Sequence, residues 1–112
     1  MVSERKKQSV YTLLVQVGRK SGDGLPVDST GAALMCYASG VSEDEAVRET
    51  VAILKQAGLA PLDVTGYGTA AERRAMGHDV EQEEADLMER ALAENLVIVA
   101  SIETLYGDAS PS

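Results

Sequence analysis

A chain of 112 residues has room for one hydrophobic core, not for a core with an elaborate deep site. Its apolar fraction of 45% is ordinary for a globular domain, but without Phe or Trp the core must be built from Val, Leu, Ile, Ala and Met beside four tyrosines. A net charge of −8 argues against nucleic acid as a partner, because binding a polyphosphate takes a basic footprint, and a single cysteine, Cys36, excludes an intrachain disulfide.

Residues 1–9, MVSERKKQS, carry no buried-face pattern and are expected to form a flexible tail. Arg5, Lys6 and Lys7 precede an apolar run as in a leader, but the run is short, Thr12 and Gln16 interrupt it, and no small-x-small site follows. No segment approaches the ~18–20 apolar residues that cross a bilayer, so no membrane partner is expected and the cytoplasm is the expected location. From Val10 to Val17 the chain alternates, with Tyr11, Leu13, Val15 and Val17 on one side, which is the period of a strand. Gly18 to Gly31 follows with four glycines and a proline. Glycine-rich polar chain gains little from being held, so this segment is expected to be mobile; were it a functional element, Arg19, Lys20 and Asp23 could close over a ligand, with Lys20 and Asp23 holding it.

Ala32 to Ser39 is nearly all apolar and suits a strand covered on both faces. The helix after it is announced by a capping box. Ser42 can accept from an amide of the first turn while Glu45 reaches back to the Ser42 amide. Ala46, Val47, Val51, Ile53, Leu54 and Ala57 supply its apolar face, Gly58 stops it and Pro61 forbids its resumption. Leu62, Val64 and Gly66 then alternate with Asp63, Thr65 and Tyr67 as a half-buried strand. Residues 70–76 make about two helical turns stopped by Gly77. Asp79 with Gln82 suggests a second capping box, opening a helix to about Glu94 with Leu87, Met88, Ala91 and Leu92 inward. Leu96 to Ile102 is expected to be a strand deep in the sheet, and residues 107–112 a flexible tail. Residues 43–94 hold thirteen acids against five bases; the first-turn glutamates 81, 83 and 84 complement a helix dipole, and a solvated face accounts for the surplus.

The resulting expectation is an α+β domain over residues 10–106 in the order β-β-α-β-α-α-β: a ferredoxin-like two-layer sandwich with a four-stranded mixed sheet, two main helices and one short one. The run VRETVAILKQAGLAPLDVTGYG resembles the first helix and second strand of nitrogen-signalling PII proteins, where a Gly-containing turn leads into a strand ending in Gly-aromatic-Gly. The likeness spans about a quarter of the chain. That family's long loop, its nucleotide-contacting basic residues and its second strand–helix–strand order are missing, so the likeness implies shared ferredoxin-like grammar rather than membership.

Catalytic pairings are scarce. Cys36 lies in the most apolar strand, a small hydrophobe with no base beside it, and His78, the only histidine, has no further His or Cys with which to bind a metal. No phosphate loop or nucleophile elbow is present, and neither a metal nor a cofactor is expected. One stretch offers a ligand: Gly66, Tyr67, Gly68 and Thr69 at a strand's carboxyl end, followed by Arg73 and Arg74, where backbone and guanidinium groups could hold a small anion. Two readings follow. The first is a non-enzymatic regulatory or interaction module working as a homo-oligomer or with a protein partner, because one of the apolar strands Val10–Val17 and Leu96–Ile102 must form an edge of a four-stranded sheet. The alternative is a small anionic-ligand binder or enzyme with a site near Gly66–Thr69 completed by a second subunit.

Overall fold

A computed structural model describes residues 7–106, so the expected C-terminal tail and residues 1–6 of the N-terminal one lie outside the described residues. Seven elements follow in order: β1 Ser9–Val17, β2 Gly31–Gly40, α1 Glu43–Gln56, β3 Pro61–Gly68, α2 Ala70–Ala75, α3 Gln82–Glu94 and β4 Val97–Leu105. β1 thus takes up Ser9, which was assigned to the tail. The strands form one sheet in the order β3-β1-β2-β4.

Every neighbouring pair is antiparallel, which corrects the expected mixed sheet. β2 and β3 do run in the same direction, but β1 lies between them, so the connection through α1 never joins hydrogen-bonded parallel neighbours. The fold is α+β, a four-stranded antiparallel open sheet with three helices.

The period of two along the central strands decides what each face buries. Leu13, Val15 and Val17 of β1 and Ala32, Leu34, Cys36 and Ala38 of β2 form one cluster with Ala46 and Leu54 of α1. Tyr37, of opposite parity, packs on the other face with Met88 and Ala91 of α3. The helices therefore lie on opposite faces of the sheet, and the two-layer expectation is corrected to a helix layer on each side. The near-continuous apolar reading of Ala32–Ser39 follows from this arrangement.

α1 begins at Ser42, whose Oγ accepts from the Glu45 amide at 3.2 Å. The reciprocal arm differs from expectation, since Glu45 Oε1 accepts from the Val41 amide at 2.8 Å instead of that of Ser42. Its buried stripe is Ala46, Thr50 and Leu54, at steps of four, with Val47 and Val51 half-buried. Thr50 is tolerated there because its hydroxyl donates to the Ala46 carbonyl at 2.8 Å. Ile53 and Ala57 point outward, contrary to expectation. Gly58, at φ +88, ends the helix as its position implied.

α2 is started by a full capping box: Thr69 Oγ1 accepts from the Glu72 amide, and Glu72 Oε1 from the Thr69 amide. No such box starts α3. Its cap residue is Glu81, without a side-chain cap bond, and Gln82 instead donates to Asp86 at 2.8 Å. Met88 and Ala91 are buried, Leu87 packs beside them and Leu92 is exposed. Asn95, at φ 52, makes the left-handed turn into β4.

β4 is an edge strand, the one of the two apolar candidates that takes this position. It lies less deep than its unbroken β-branched run implied: among the described residues it pairs only with β2, and it leaves Val99 39% and Ile102 58% exposed. The segment between β1 and β2 also departs. Arg19 Nε donates to Asp23 Oδ2 at 2.9 Å, and its Nη1 donates to the carbonyls of Pro26 and Ser29. Asp23 in turn accepts from the amides of Lys20 and Leu25, and its side chain is 2% exposed. Leu25 packs on the α1-side core. The loop has no regular structure but does have a polar centre, built on the side chains of Arg19 and Asp23, to which Lys20 adds its backbone amide.

Among the described residues no helix is long and apolar enough to cross a membrane.

Candidate functional site

The residues singled out at the end of β3 separate into three environments. Gly66 lies against Glu43 of α1, so close that a Cβ there would overlap its carboxylate. The same carboxylate accepts from the Gly68 amide at 3.2 Å, which gives that backbone donor an anion from the chain itself. Gly68, at φ +83, lets the chain turn over Glu72, and Thr69 caps α2. Packing and turn geometry thus explain both glycines.

Arg73 crosses to the other side of the sheet. Its Nη1 donates to Glu84 Oε1 of α3 at 2.8 Å and to Thr12 Oγ1 of β1 at 3.3 Å. Tyr37 of β2 donates its hydroxyl to the same Glu84 oxygen at 2.8 Å. Four elements meet in this network, and the Arg73 side chain is 11% exposed. Burial raises the pKa of Glu84, but the hydrogen bonds from Arg73 and Tyr37 outweigh it and leave the carboxyl below its usual range. Burial, then the hydrogen bond to Glu84, pushes the Tyr37 phenol up to about 12. Arg74, one residue on, is exposed and lines a different cleft at the turn between α2 and α3.

Tyr67 faces His78 across 6.1 Å between ring centroids, tilted by 60°. Together with Thr12, Met35 and Arg73 these rings line a cleft of about 300 Å³ on the α3 side of the sheet. Of the residues singled out in the sequence, then, Thr69 and Arg74 share one cleft, Gly66 and Gly68 border a second with Tyr67, and Tyr67 and Arg73 come together here. Thr12, Met35 and His78 complete the cleft. The first two were hidden in strand patterns that read as core, and nothing in the sequence joins residue 12 to residue 78.

Cys36 is buried, and burial raises its thiol to about 11, so it carries no thiolate at neutral pH. Among the described residues no three His, Cys, Asp or Glu side chains gather to hold a metal ion.

The second notable surface is the free edge of β4. Register places Val99 opposite Cys36 and Ile102 opposite Leu34, so both point to the α1 side although three residues apart. The irregularity at Ala100 makes this parity. α1 leans on β2 and β3 more than on β4, leaving these two side chains uncovered.

Comparison with protein families matches residues 10–106 to the model described as "Domain of unknown function (DUF8846)". No curated protein and no solved structure matched the chain.

Proposed function

The chain belongs to the DUF8846 family, and we propose that it is a non-enzymatic interaction module that assembles with a second copy of itself through β4. The observation that carries this reading is the nine-residue apolar strand at an open sheet edge, with Val99 and Ile102 in solvent. Such an edge presents unpaired backbone groups and is normally shielded by charge, proline or a covering element. β3, at the opposite edge, has Pro61 and Asp63, whereas Glu103 is the only charge on β4.

A second copy fits better than an unrelated strand because β4 complements itself. About a two-fold axis between Ala100 and Ser101, Val99 of one copy faces Ile102 of the other on the α1 side. Glu103 then faces Ile98 on the other side, so no like charges are opposed. The product is a continuous eight-stranded sheet with a helix layer on each face. The Glu84 network favours structure over catalysis in this reading, since Glu84 is held by both Arg73 Nη1 and the Tyr37 hydroxyl. We place the protein in the cytoplasm, where the buried, unpaired Cys36 stays reduced; ferredoxin-like remains a description of its element inventory.

Sedimentation equilibrium at micromolar concentration tests the proposal. Wild type is expected to sediment as a dimer of the 11.8 kDa chain and Ile102→Lys as a monomer. A single species of monomer mass for the wild type defeats it.

A further inference from the structure

Five surface clefts can be compared among the described residues. Carboxylates stand in the walls of four: Glu45 and Glu49 in one, Asp79 and Glu81 in a second, Asp86 and Glu89 in a third, Glu43 and Glu72 in a fourth. The fifth is the cleft of Thr12, Met35, Tyr67, Arg73 and His78, and its wall holds a guanidinium and no acid. On a chain of net charge −8 it is the one of these five without a carboxylate in its lining, although Glu84 stands 2.8 Å from Arg73 Nη1.

Its polar groups are chiefly donors. Arg73 spends Nη1 on Glu84 and Thr12, and among the described residues no acceptor is bonded to its Nε or Nη2. Neither the Tyr67 hydroxyl nor a His78 ring nitrogen is hydrogen-bonded there. A guanidinium with two nitrogens to spare suits a carboxylate, whose oxygens match that geometry. The remaining walls are apolar: the Met35 thioether and the tilted pair of Tyr67 and His78 rings. A volume of about 300 Å³ limits the guest to a small molecule.

We propose that this cleft binds a small carboxylate bearing a flat apolar body, its charge toward Arg73 and its body between Met35 and the Tyr67–His78 pair. Glu84 holds the far side of the guanidinium and offsets part of its charge, so affinity is in the millimolar range for a molecule of this size. The cleft spans β3, β1 and β2 on the α3 side of the sheet, none of its lining residues belongs to β4, and it does not depend on self-association.

Benzoate is the probe. Titrated into the full chain, and into Ile102→Lys, it is expected to move the Met35 methyl and Tyr67 ring resonances saturably. Benzyl alcohol, of similar shape but neutral, is expected to bind about tenfold more weakly, because it forfeits the charge-assisted bonds. Inorganic phosphate, with no apolar body, should not compete. His78→Ala, an exposed substitution that leaves the fold intact, is expected to weaken benzoate several-fold, and Arg73→Gln to reduce it to the level of benzyl alcohol. Should Arg73→Gln fail to fold because Glu84 loses its partner, His78→Ala and the benzyl alcohol comparison decide. Equal binding of benzoate and benzyl alcohol, competition by phosphate, shifts that do not saturate or do not centre on Met35, or unaltered binding in His78→Ala would each overturn the proposal.

Discussion

Tyr37 shows how much one side chain can carry here. Its ring belongs to the α3-side core at 2% exposure, while its hydroxyl reaches Glu84 at 2.8 Å and ties β2 to α3. The folded phenol is pushed up to about 12, above the ~10 of a tyrosine in an unfolded chain. A raised pKa means that folding favours the protonated form. Its stabilising contribution is therefore complete below about pH 10 and declines as pH rises through 12. Thermal melts of wild type are expected to fall across that window, and Tyr37→Phe, which has no proton to lose, should fall less. At neutral pH the same substitution is expected to cost about 1 kcal/mol, because Glu84 keeps its bond to Arg73. Melts with equal alkaline slopes for both proteins would remove Tyr37 from the account.

Among the elements, the loop from Gly18 to Gly31 makes the sharpest forecast. Hydrogen bonds from Arg19, then the amides of Leu25 and Lys20, hold the Asp23 carboxyl far below the ordinary carboxylate range. A depressed pKa contributes stability that is present above the unfolded value of ~3.9 and is lost as pH falls below it. The loop is thus expected to stay ordered at neutral pH and loosen in acid, and Asp23→Asn to loosen it at any pH. Amide resonances of Lys20 and Leu25 read this directly; conformational averaging in the wild type at neutral pH would contradict it. Composition alone suggested the reverse, since glycine count speaks of entropy and says nothing of an ion pair inside the loop. Local signals were otherwise well written: Ser42, Gly58 and Gly77 stop or start helices where their chemistry requires. The Asp79–Gln82 spacing misled because a capping box needs the backbone to turn at its first residue, and here the cap falls two residues later, at Glu81. Thr69–Glu72, the true box, has the same spacing.

At the scale of the whole molecule, strand order is what the sequence conceals. β4 is as apolar as β2, and nothing in a run of Val, Ile and Ala says whether its neighbour is a strand, a helix or another molecule. The site was concealed for the same reason: Thr12, Met35 and His78 meet Tyr67 and Arg73 only once β1 lies between β2 and β3 and the turn after α2 passes over them.

An apolar edge of this length has a thermodynamic consequence if a second copy covers it. Melting a dimer releases two chains, so the stability depends on concentration, gaining about 1.4 kcal/mol per dimer for each tenfold increase. Shared between two chains of this size, that is a rise in Tm of a few degrees per decade. Wild type is expected to follow this line. Ile102→Lys should show no concentration dependence, because a charge opposite Val99 at the centre of the junction must be desolvated without a partner. Ile102 is 58% exposed in the single chain, so the variant's own fold loses little. Its melt should therefore coincide with that of the wild type at high dilution and separate from it as concentration rises. If the two curves differ by the same amount at every concentration, Ile102 acts within one chain, and β4 is an edge that tolerates water.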